Sequence, residues 1–205
     1  VRKELRELIE MKRSVAGLAL VALMSMSCAL VAQTEKSSEY YPLKPGTKWV
    51  YTVMGSQITM KVDKKEKIGE VECWKIATIV NDKEVASEHV SVTDDGIYRN
   101  ALNGQKPEKP VMFLKLPPKK DDKWDIDTKI SGQVIKGKFV VKEEKAKVGG
   151  KDYDTFVSEG KDIDINGKLT TIKYWFAKDI GIVKLSFTMD GQDTVLELEK
   201  YEAAK

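Results

Sequence analysis

The sequence predicts an all-β domain of about ten mostly antiparallel strands, curved into a barrel or half-barrel. Three observations carry this reading. Apolar and polar side chains alternate with a period of two through most of the body. Asn-Gly and Asp-Gly pairs, which accept positive φ and close tight hairpins, stand among the alternating runs. No long apolar stripe of period 3.6 appears beyond the first 32 residues, and β-branched residues are dense there.

In chain order, residues 1–32 form the targeting part. Met11-Lys12-Arg13 followed by SVAGLALVALMSMSCALVA has the charged start, apolar stretch and small-residue end of an export signal over 11–32. The ten residues before it, VRKELRELIE, carry three acids and read as a spurious prefix. Two exits from the signal compete. Cleavage after Ala32 yields a soluble protein, whereas lipidation at Cys28 yields a lipoprotein, although SMSC lacks the leucine expected three residues before such a cysteine. Either exit places the domain outside the cytoplasm, in the periplasm, on the cell surface or secreted. Residues 33–39 form a polar linker, and 40–205 a single β-domain.

Within that domain, Trp49, Tyr51 and Val53 share one strand face, and Ile58, Met60 and Val62 another. The segment GQKPEKPVMFLKLPPKK has four prolines around one apolar run. Proline cannot donate to a ladder, so the segment reads as a crossing loop with an edge strand, Val111 to Leu116. Trp124, Ile126 and Thr128 alternate next, and late in the chain Val183, Leu185, Phe187 and Met189 do the same. The two sides of the Pro-rich crossing read alike. TKWVYTV matches DKWDIDT, with Trp49 opposite Trp124; Gly69 falls on Gly149, Asn81 on Asn166 and Gly96 on Gly181. This predicts two similar five-strand halves, about 40–105 and 111–201, whose apolar faces close over each other.

Composition excludes several function classes. Without the first 32 residues the chain carries 30 basic and 29 acidic side chains, with no basic run longer than two. That leaves no electrostatic footprint for nucleic acid. The two cysteines are Cys28 and Cys73, and the single histidine is His89. With Cys28 in the targeting segment, an internal disulfide and a Cys/His zinc cage fail by count. His89 on a strand reads as a satisfied or surface residue, and Cys73 as a small packed hydrophobe. The acid pairs Asp94-Asp95 and Asp121-Asp122 read as solvated charge at a turn and before a strand. VGGK at 148–151 reads as a hairpin, since no helix follows it.

Asp162, Asp164 and Asn166 stand at the first, third and fifth places of a calcium loop. The twelfth place holds Lys173 instead of a bidentate glutamate, so an Asn-Gly hairpin is the preferred reading. In KYWFAKDIGIVK, Tyr174 and Trp175 must face opposite sides of a sheet, so the three aromatics are no single platform. Trp49, Trp124, Trp175 and Phe176 are the candidates to face a ligand.

YYPLKPGTKWVY, VGGKDYDTFV and YWFAKDIGIVKL are similar to segments of exported bacterial β-domains of unknown function, some of them TapB-like. The resemblance spans most of Tyr40 to Tyr201 and rests on turn glycines and strand aromatics. It implies an exported, lipoprotein-like β-domain without established catalytic residues, similar in fold to the curved half-barrels of envelope lipid carriers. The expected function is non-enzymatic and needs no cofactor: an amphipathic or apolar ligand, such as a lipid, bound in a concave interior. The alternative is an adaptor in envelope assembly working through an exposed edge on a protein partner, and the weaker alternative a carboxylate-based hydrolase.

Overall fold

Among the described residues, backbone hydrogen bonds join twelve antiparallel strands into one sheet. The computed structural model describes residues 38–205 except Asp190, all within one unit, Glu35–Lys205. The targeting segment, with Cys28 and the Ala32 cleavage site, and most of the linker lie outside the described residues. The strands are β1 Lys48–Val53, β2 Ser56–Ile68, β3 Val71–Val80, β4 Lys83–Val92, β5 Gly96–Leu102 and β6 Val111–Lys115. They continue as β7 Lys123–Ile130, β8 Gln133–Val148, β9 Lys151–Ile165, β10 Lys168–Ala177, β11 Gly181–Met189 and β12 Gln192–Glu202.

The sheet order is β6-β5-β4-β3-β2-β1-β12-β11-β10-β9-β8-β7. Among the described residues, every pair of strands consecutive in the chain is joined except β6 and β7, which are the two edges, and the one non-sequential ladder joins the first strand to the last. The result is a nearly closed barrel. Its remaining seam lies between β6 and β7, where Glu108 N donates to Lys129 O at 2.9 Å. Thr128 Oγ1 there accepts from Lys109 N and donates to Lys109 O, both at 2.9 Å.

The expectation of about ten strands in two five-strand halves is overturned. Five strands precede the Pro-rich crossing and seven follow its start, in a single sheet. The run Val111–Lys115 is paired to β5 and belongs with the strands before it, so a boundary at residue 105 misplaces it. Some individual strands and turns do lie where the sequence places them. Trp49 and Trp124 are the second residues of β1 and β7, and Asn166-Gly167 turns β9 into β10 with φ of 52° and 83°.

The inner face is filled unevenly. At the end where β1 begins, the segment before it enters the barrel: Tyr41 and Leu43 are each 1% exposed. The Tyr41 ring lies 5.3 Å from Trp49 and 6.4 Å from Phe176, centroid to centroid. On the β7–β9 side, Trp124 stacks on Phe139 at 5.5 Å, and two glycines make the room. A Cβ on Gly160 would stand 2.7 Å from the Phe139 ring, and one on Gly137 would stand 2.3 Å from Ile163.

Gly181 serves both the β10–β11 turn and the plug. Its φ is +99°, and a Cβ there would lie 3.0 Å from the Tyr41 ring and 3.3 Å from Trp49 Nε1. Gly181→Ala should therefore cost about 1–3 kcal/mol through backbone strain and displacement of Tyr41. Urea unfolding followed by tryptophan fluorescence measures this, and an unchanged midpoint would contradict the plug.

Candidate functional site

A partly open cavity of about 240 Å³ remains inside the barrel, beside the Tyr41 plug. Ile58, Met60, Leu185 and Leu196 supply apolar wall, and Tyr51, Phe113 and Tyr174 supply aromatic wall. Strand alternation puts them there: Ile58 and Met60 share the inner face of β2 with buried Val62, and Leu185 lies directly opposite Leu196 across β11 and β12.

The same alternation turns two charged residues inward. Glu88 precedes buried Val90 by two residues on β4, and Arg99 follows buried Ile97 by two on β5. A bulge between His89 and Val90 brings their side chains together. Arg99 donates to Glu88 Oε2 from Nε at 2.9 Å and from Nη2 at 2.8 Å, and its guanidinium lies 4.4 Å from the Phe113 ring centroid. The Glu88 side chain is only 7% exposed and that of Arg99 21%. Burial alone would pull the Arg99 pKa down, but the Glu88 carboxylate outweighs it and holds the guanidinium charged. Burial raises the Tyr174 phenol, with Glu88 adding to the shift and Arg99 opposing it. Tyr51 is raised in the same way by burial and then by Glu88, and donates to Ile182 O at 2.8 Å.

The residues singled out in the sequence occupy different places. Trp49 is fully buried, with Nε1 donating to Ile180 O at 2.6 Å. Phe176 is also fully buried, against Tyr41. Trp124 is half-buried against Phe139, and its indole nitrogen is buried without a hydrogen-bond partner. Trp175 is on the outer face, where Nε1 donates to Glu144 at 3.2 Å and Lys184 lies 5.7 Å from its ring. None of the four lines the 240 Å³ cavity.

Asp164 accepts from Gly167 N at 2.5 Å, and Asn166 Oδ1 accepts from Val134 N at 2.9 Å, so both oxygens serve the hairpin. Asp162 is exposed at the end of the series. His89 is buried on the outer face with Nε2 2.8 Å from Glu66 and Nδ1 unpartnered. Tyr174, which the Asn81–Asn166 match sets opposite His89 in the proposed repeat, instead contacts the interior pair, so matched letters do not share a face. Burial, with Glu72 nearby, raises the Cys73 thiol to about 11, which makes it a poor nucleophile at neutral pH. Asp95 is held below the usual range by bonds from Thr93 and Tyr98, and Asp122 accepts from Lys119 N. On the outer face, burial works to raise Glu159, but Lys142 and Lys173 prevail and lower it.

The chain matches no protein-family model and no curated protein sequence, so the TapB-like resemblance gains no support there. Among solved structures it is similar to a predicted lipoprotein of Parabacteroides distasonis ATCC 8503. That match has a TM-score of 0.52 and 10% identity, over 82% of this chain and all of the other. A predicted exported protein of Bacteroides fragilis NCTC 9343 with a YmcC-like fold matches at TM-score 0.49 and 13% identity, over 79% and 98% of the two chains. At such identity, the first likeness shows a shared fold.

Arg99→Met would leave the buried Glu88 carboxylate uncompensated and should cost about 3–5 kcal/mol, while Glu88→Gln/Arg99→Met should recover much of the loss. Urea unfolding of both variants checks this, and equal losses would contradict it. The lowered Glu159 pKa stabilises the fold above the unfolded value near 4.5, and this stabilisation is lost as pH falls through the lower folded value. Glu159→Gln should flatten the acid limb of thermal stability below about pH 4.5; an unaltered limb would show that the lysine clamp is not felt.

Proposed function

We propose that this chain is an exported, non-enzymatic binding domain that holds a small apolar or amphipathic ligand inside its barrel. The observation that carries the reading is the 240 Å³ cavity, because it persists beside a tightly filled aromatic plug. An interior built only for stability would cover these apolar walls, whereas Ile58, Met60, Leu185 and Leu196 stay partly exposed around an open recess. The export signal at 11–32 supports a role outside the cytoplasm, as does the fold shared with a predicted lipoprotein. The adaptor reading has less support: the edges of β6 and β7 face each other, and Thr128 and Glu108 tie them together.

Pockets for drug-sized ligands span roughly 300–1,000 Å³. The smaller volume here favours a short chain or a single ring over a diacyl lipid. Native mass spectrometry of protein recovered from the exported fraction should show a small-molecule adduct. Leu196→Trp, which fills the cavity, should remove the adduct without lowering the melting temperature by more than a few degrees. A bare chain in the wild type, with binding of no apolar probe, would overturn the proposal.

A further inference from the structure

Building on that reading, we infer that the ligand is an uncharged amphiphile whose hydroxyl or amide lodges between Glu88 and Arg99, with its apolar part against Ile58, Met60, Leu185 and Leu196. The argument rests on how the pair is built. Both guanidinium contacts to Glu88 fall on Oε2, which leaves Oε1 as the acceptor available to a third group. Arg99 carries five N–H donors, places two of them on Glu88 and hydrogen-bonds the Tyr174 phenol as well, so donors still remain beside that acceptor. Both residues line the cavity, whose other walls are predominantly apolar. The floor therefore offers an acceptor and donors side by side and no net charge.

That combination discriminates by charge as well as by shape. A hydroxyl or primary amide both donates and accepts, so it satisfies Glu88 and Arg99 together. A carboxylate only accepts, and in this recess it must sit beside the Glu88 carboxylate, whose charge already neutralises Arg99. A site built for anionic amphiphiles would leave its arginine uncompensated. Phe113 under the guanidinium and Tyr174 beside it fix the Arg99 plane, so a switch of Arg99 from Glu88 to an incoming anion would break an assembled contact set.

The test titrates the full chain with octan-1-ol and with octanoate at pH 8, following the methyl resonance of Met60, assigned by Met60→Leu. Octan-1-ol should bind at least tenfold more tightly than octanoate. In Glu88→Gln, which frees the Arg99 charge, octanoate should gain at least tenfold relative to octan-1-ol. Glu88→Gln/Arg99→Met should show no such gain, and it should weaken octan-1-ol about tenfold even if the single variant folds poorly. Octanoate binding as tightly as octan-1-ol in the wild type would overturn the inference while leaving the binding reading intact. So would a preference that Glu88→Gln leaves unchanged. If neither compound moves Met60, and the exported protein carries no adduct, both readings fall.

Discussion

The ladder between β1 and β12 is the constraint on which the rest of the molecule depends. All other pairings join strands consecutive in the chain, and alone they would leave a long meander with one apolar face in water. Pairing the first strand with the last brings the two arms of the meander together, so their inner faces enclose one space. Two side chains of β1 secure the junction by reaching past β12: Trp49 donates to Ile180 O and Tyr51 to Ile182 O, each across 131 residues. A bulge between Val50 and Tyr51 in the β1–β12 ladder adds local twist at this junction. The interior exists only once these non-local contacts have formed, and such contacts carry the largest loop-closure cost in folding.

Closure of twelve strands then sets a problem of volume. About eight strands give a barrel that side chains just fill, and the diameter grows with strand number. Larger rings and an added segment take up the surplus here. Tyr41 and Leu43 enter from outside the sheet, Trp49 and Phe176 meet them, and Trp124 and Phe139 stack over the space left by Gly160. These devices fill one end and one side, and the cavity occupies what they do not reach. Its walls combine the aliphatic residues of β2, β11 and β12 with Tyr51, Phe113 and Tyr174.

Much of this was legible in the sequence because strands and tight turns are local. The Asn166-Gly167 hairpin and the opposite orientation of Tyr174 and Trp175 follow from neighbouring residues alone. The strand count was not legible to the same degree. β6 is five residues between prolines, and β12 has no partner in sequence beyond β11, so nothing local tells that it closes on β1. Aromatic content also misdirects attention, because Trp49 and Phe176 are the filler and Trp175 lies outside. The signal for the interior pair was present but quiet: Glu88 falls in phase with Val90 and Val92, and Arg99 in phase with Ile97. Charged letters in an apolar phase say more about this barrel than its aromatic run does.

The distribution of charge sharpens that point. The chain is one-third charged, yet nearly neutral beyond its first 32 residues, and the outer face accounts for this economy. Lys136 lies directly opposite Asp127, Lys138 opposite Asp125, Lys145 opposite Asp154, Lys173 opposite Glu159 and Lys184 opposite Glu197, and each forms an ion pair. Exposed pairs contribute little stability individually, but a one-residue slip would turn all of them inward, so they help hold the register of a long meander. The Glu88–Arg99 pair departs from this rule, since it is turned to the interior where desolvation makes ion pairs expensive. Register cannot explain it, because buried Val90 and Ile97 already fix the phase of β4 and β5. What the pair adds that hydrophobic residues would not is a polar floor to a greasy cavity.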